Sequence, residues 1–165
     1  MNIGLIIIVI VTASLIIGPI MMLRPNTAQK NRENLRTIAR SRGVHFSMRN
    51  IPRQPDEIEQ PAAMPVYFIP PTKTQASTGW MLVRTHYQHD IHFLGWWAWQ
   101  GEARATSSEI AVLNAQLPNL PESVRAISAA GDGACVYWSE QGGEPVLQQV
   151  LHLLESLKLA AEDEA

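Results

Sequence analysis

The chain has 165 residues, 46% of them hydrophobic and 17% charged, with a net charge of −2 and one cysteine. That length suits a single ordinary domain plus a terminal segment, and the lone Cys135 excludes an intrachain disulfide framework. The near-neutral total conceals an asymmetry. Residues 1–53 carry eight Lys or Arg against Glu33 alone, giving +7, whereas residues 54–165 carry five basic and fourteen acidic residues, giving −9. An acidic distal part argues against a nucleic-acid surface there.

Residues 3–23 contain no charge, and thirteen of the twenty-one are Ile, Leu or Val. At 1.5 Å per residue such a helix spans about 31 Å, matching a hydrocarbon core of about 30 Å. The sequence therefore predicts a transmembrane anchor over 1–24. A cleaved signal peptide fits less well: the positive n-region is missing, and Met21-Met22-Leu23-Arg24-Pro25 is a poor cleavage site. No Lys or Arg precedes the span and six follow within about twenty residues, so the positive-inside rule predicts the N-terminus outside and the rest in the cytoplasm. The expected location is a bacterial inner membrane, crossed once.

A basic helix is expected over 25–43, with Asn26 or Thr27 as N-cap and Gly43 past its C-terminus. Arg24, Lys30, Arg32, Arg36 and Arg40 are candidate contacts to anionic lipid headgroups, and the lipid bilayer is thus an expected partner. Residues 44–49 alternate as a half-buried strand. Residues 50–75 read as a proline-rich connection, with an edge strand at 64–69 inside it. Next come two strands, 80–87 and 91–100, around a turn at Gln88-His89-Asp90. In a register centred on His89, Met81, Val83, Tyr87, Ile91, Phe93 and Trp97 share the core face.

Thr106 and Glu109 form a capping-box pattern opening a helix that stops at Pro118. Residues 124–129 and 135–139 flank Gly131-Asp132-Gly133 as a hairpin. A helix from 145 to 160 follows, with Leu147, Val150, Leu151, Leu154 and Leu157 on one stripe, and 162–165 form an acidic tail. The expected fold class is α+β. After the anchor and the basic juxtamembrane helix comes a cytoplasmic domain over 44–161: a two-layer, mostly antiparallel sheet with helices on one face.

Two groups stand out chemically. His86, His89 and His92, with Asp90, are spaced so that His86 and His92 would be cross-strand neighbours. Such a pair with a third ligand suits a borderline metal such as zinc, although the spacing is not that of the usual zinc sites. The five tryptophans exceed what one core face requires, and Trp80, Trp96 and Trp99 are candidates for a partner surface. No nucleophile, phosphate-loop or dinucleotide motif occurs, Cys135 sits mid-strand in an apolar run, and no cofactor is expected.

The end of the apolar run at Leu23-Arg24-Pro25, then Gln29-Lys30 and a basic helix closing at Gly43, resembles the start of YajC, a small inner-membrane protein that accompanies the Sec translocase. The layout is also similar to proteobacterial single-pass proteins labelled YajC-like. The resemblance covers the N-terminal region only, about 25 of the 165 residues, and carries no site residue. It implies an accessory role near a translocase. The sequence thus points first to a non-enzymatic accessory or scaffold subunit of the inner membrane, its cytoplasmic domain contacting a membrane-protein complex. The alternative is a membrane-tethered metal- or ligand-binding sensor using the histidine hairpin.

Overall fold

A computed structural model describes residues 2–22, 26–54, 58–71 and 79–163, the side chains of 18–22 excepted. The chain divides into two compact units, Met1–Glu33 and Asn34–Ala165.

In the first unit, helix α1 runs Ile3–Met22. Its apolar side chains are exposed from Ile3 to Ile17, and the Thr12 hydroxyl donates to the Ile8 carbonyl at 2.8 Å, which satisfies it within the helix. Among the described residues no helix is long and apolar enough to cross a membrane. The single-pass inner-membrane placement, with its outside N-terminus and cytoplasmic domain, is therefore not supported. Helix α2, Thr27–Ser41, begins as expected after Asn26, whose carbonyl accepts from Lys30.

The C-terminus of α2 lies in the second unit and closes on a Schellman motif. The Val44 amide donates to the Ala39 carbonyl and the Gly43 amide to that of Arg40, with Gly43 at φ +75°. The geometry turns the chain directly into β1, His45–Arg49. The remaining elements are β2 (Met64–Ile69), β3 (Trp80–Arg84), β4 (Trp97–Trp99), α3 (Ser107–Gln116), a 3-10 turn (Leu117–Asn119), β5 (Val124–Ala130), β6 (Gly133–Trp138) and α4 (Gly143–Asp163). Among the described residues six strands form one antiparallel sheet in the order β1-β2-β6-β5-β3-β4. The α+β class holds, and the acidic tail proves to be the last turn of α4 as far as Asp163.

β2 is interior, not an edge. Pro65 is tolerated because it faces only β1, opposite Met48, and pairing with β6 begins one residue later at Val66. The span 50–75 is therefore more than a connection. Pro55, Asp56 and Glu57 lie outside the described residues.

Side-chain alternation splits the apolar residues between two faces. Tyr67, Ile69, Trp80, Leu82, Trp97, Ile127, Val136 and Trp138 pack under the helices, meeting Leu35 and Ala39 of α2, Leu113 of α3 and the leucine stripe of α4. A smaller cluster of Val66, Val83, Ala126, Cys135 and Tyr137 lies on the other face, closed partly by Ile51. A bulge between Val124 and Ala126 inserts Arg125 and shifts the parity of β5, so Val124 joins Ile127 on the helix side.

The β3–β4 register differs from the expected one. Leu82 pairs with Trp99 and Arg84 with Trp97, a shift of three residues that exchanges the faces. The observed register places Trp80, Leu82, Trp97 and Trp99 together under the helices, where Trp80 and Trp99 meet edge to face at 5.7 Å. Burial of four large side chains decides it. Residues 85–96 then form a loop that turns at Gly95, φ +55°, inside the isolated Leu94–Trp97 bridge.

Candidate functional site

The loop 85–96 carries the histidines, and the strands end too early to bring His86 and His92 across from each other. His89 accepts the Ile91 amide at Nδ1 (3.2 Å), and His92 Nδ1 lies 3.0 Å from the Gly95 carbonyl. The His89 and His92 rings are 6.0 Å apart, and Tyr87 stacks obliquely on His92 at 5.2 Å. Among the described residues, no group of three or more His, Cys, Asp or Glu is placed to hold a metal ion. His89 and His92 each engage a neighbouring backbone group through one ring nitrogen.

Of the candidate tryptophans, Trp80 is buried, and its indole donates to Glu109 Oε2 at 2.8 Å. The same oxygen accepts the Thr106 amide at 2.9 Å, while the Glu109 amide donates to Thr106 Oγ1. The capping box read from the sequence is thus present, and its carboxylate also anchors β3. Trp99 is half-buried between Trp80 and Phe93, with the Arg104 guanidinium 5.5 Å over its ring. Trp96 alone of the three stands out, 43% exposed, beside Tyr87 at 53% and Ile91 at 84%.

Tyr87 and Ile91 line a groove of about 410 Å³, together with Val83, Ala98, Trp99 and Arg104 among others. Val83 and Ala98, paired across β3 and β4, belong to the sheet face opposite the helices. The groove mixes these apolar and aromatic side chains with polar ones, among them Gln54, Thr85, His92 and Gln100.

The basic residues diverge. Arg24 lies outside the described residues, and Lys30, Arg32 and Arg40 are exposed on α2. Arg36 is instead committed within the domain. Its Nε and Nη2 donate to the two Glu140 oxygens at 2.7 and 2.8 Å, and Tyr67 Oη donates to Glu140 Oε1 at 2.8 Å. Glu140 sits at φ +61°, with a side chain only 1% exposed. Burial, then the bond to Glu140, pushes the Tyr67 phenol well above its ordinary range. The Arg36 guanidinium also stacks 4.0 Å from the Phe46 ring centre. This clamp ties α2 and β2 to the chain entering α4, and no sequence spacing signals it, because Arg36 and Glu140 are 104 residues apart.

A second cluster occupies the opposite face. Arg49 donates to Asp132 and approaches Cys135 Sγ at 3.6 Å, and its guanidinium lies 5.0 Å over Phe68. Burial, then the nearby Asp132 charge, pushes the Cys135 thiol up to about 11, the reverse of an activated nucleophile. Among the described residues, every buried side-chain nitrogen or oxygen has a hydrogen-bond partner, so these polar groups are held structurally.

The fold and its surfaces define an α+β domain whose conspicuous unsatisfied feature is apolar and aromatic. No protein-family model, curated protein or solved structure matches the chain.

Proposed function

We propose that this protein is a non-enzymatic accessory or scaffold subunit that holds a partner protein against the outer side of its β3–β4 hairpin. The observation that carries this reading is the exposed pair Tyr87 and Ile91 lining the groove, with Trp96 exposed in the same loop. Aromatic residues that contribute nothing to the core are the compositional mark of contact surfaces, and most of the binding energy in such surfaces falls on a few of them. The loop is stiffened by its own bonds: the Thr85 amide donates to the Trp96 carbonyl at 2.8 Å, and the Thr85 hydroxyl reaches the carbonyls of Tyr87 and Trp96. A preorganised loop loses less entropy on binding.

Photo-crosslinking side chains placed at Ile91 and at Trp96, in cells that naturally make the protein, test this. A discrete heavier adduct is expected from both positions, and none from Glu155, an exposed residue of α4. Tyr87→Ser combined with Ile91→Ser should abolish the adduct formed from position 96 while leaving the melting temperature unchanged. Equal adducts from all three positions, or none from 91 and 96, would overturn the reading.

A further inference from the structure

At the far side of the sheet from the aromatic loop lies β1, the outermost strand, bonded among the described residues only to β2. In an antiparallel pair every second residue turns its N–H and C=O away from its neighbour, so β1 presents an unfilled ladder along its outer side. Its five residues are paired without a bulge, from His45 opposite Phe68 to Arg49 opposite Met64. His45 stacks on Phe68 and Arg49 lies over the same ring, which holds both ends of the strand in place. Met48 remains 53% exposed.

The chain segment that carries this edge is basic. Between residues 34 and 53 there are five arginines and no acidic residue. Arg36 and Arg49 are neutralised internally by Glu140 and Asp132. Arg40 and Arg42, before the strand, and Arg53, after it, are exposed. We propose that β1 is a docking edge for an extended, acidic segment of a partner protein, which adds to the sheet as a seventh strand. Backbone bonds would supply the pairing, and the arginines at the two ends would select for carboxylates. A second copy of this chain suits the edge poorly, since it would set two arginine-rich edges side by side. This surface is distinct from the aromatic loop, and its test is independent of that reading.

The probe is a dye-labelled, eight-residue alternating Glu-Val peptide, with an alternating Lys-Val peptide for comparison. Both are titrated into the full-length chain in mild non-ionic detergent and followed by anisotropy and amide exchange. The Glu-Val peptide should bind and slow exchange within 45–49. Arg42→Glu with Arg53→Glu should weaken it by about tenfold or more, and added salt should weaken the wild type more than this variant. Three results would each overturn the proposal: no binding at about 1 mM Glu-Val peptide, equal binding of the Lys-Val peptide, or protection that avoids β1. Covalent dimerisation of Ser47→Cys under mild oxidation, in a Cys135→Ser background, would place a second copy there instead.

Discussion

Replacing Arg36 with methionine isolates the clamp at the centre of the domain. Glu140 would lose two charge-assisted bonds of 2.7 and 2.8 Å and keep only the Tyr67 hydroxyl at 2.8 Å, inside a site where its side chain is 1% exposed. Breaking a fully buried ion pair from one side costs about 3–5 kcal/mol. The Arg36 side chain is 32% exposed, so water can replace part of what it supplied. A loss of about 2–3 kcal/mol is expected, because methionine retains much of the packing on Phe46. For a unit of this size that lowers the melting temperature by about 10 °C. Urea unfolding followed by tryptophan fluorescence reads it directly, with Trp138 and Tyr67 in ring contact at 5.5 Å next to the clamp. The double variant Arg36→Met with Glu140→Gln should cost less than the sum of the two single changes, since it removes both charges. A single-variant loss below about 0.5 kcal/mol, or strict additivity, would show that Glu140 is not held as a buried carboxylate.

Gly133 admits no side chain: at φ +97° its Cβ would lie 2.0 Å from the Ile69 carbonyl oxygen, so Gly133→Ala should cost about 3 kcal/mol or more, and a loss under about 1 kcal/mol in urea unfolding would contradict the packing of β2 on β6. Thr106→Ala removes the acceptor for the Glu109 amide and should cost about 1 kcal/mol by the same assay, whereas Thr106→Ser should cost less than half of that. Alkaline pH should destabilise the fold. The unfolded Cys135 thiol releases its proton near 9 and the folded one near about 11, so the unfolded chain holds fewer protons between those values and stability falls as pH rises through them. At about 1.4 kcal/mol per pH unit the Cys135 contribution reaches about 2–3 kcal/mol, and Cys135→Ala should remove it while leaving the loss that the raised Tyr67 and Tyr137 phenols add above about pH 10. Unfolding midpoints that do not change between pH 9 and 11 would refute it.

The sequence by itself determined the elements whose signals are local. The Thr106–Glu109 capping box, the Gly43 terminus of α2, the Gly131-Asp132-Gly133 turn and the leucine stripe of α4 all lie where residue spacing places them, because each depends on contacts within a few residues. The tertiary structure decided whatever depends on distant partners. The register of β3 on β4 was settled by burying Trp97 and Trp99 with Trp80 and Leu82, and that choice kept His86 and His92 from facing each other across the strands. It also sent Trp80 inside to Glu109 and left Trp96 out. The proline-rich span hid an interior strand because Pro65 needs a donor-free position on one side only, which becomes visible once both neighbours of β2 are known. The Arg36–Glu140–Tyr67 clamp belongs to no motif. It exists because three segments far apart in the chain meet at one buried carboxylate, and one-dimensional spacing carries no record of that meeting.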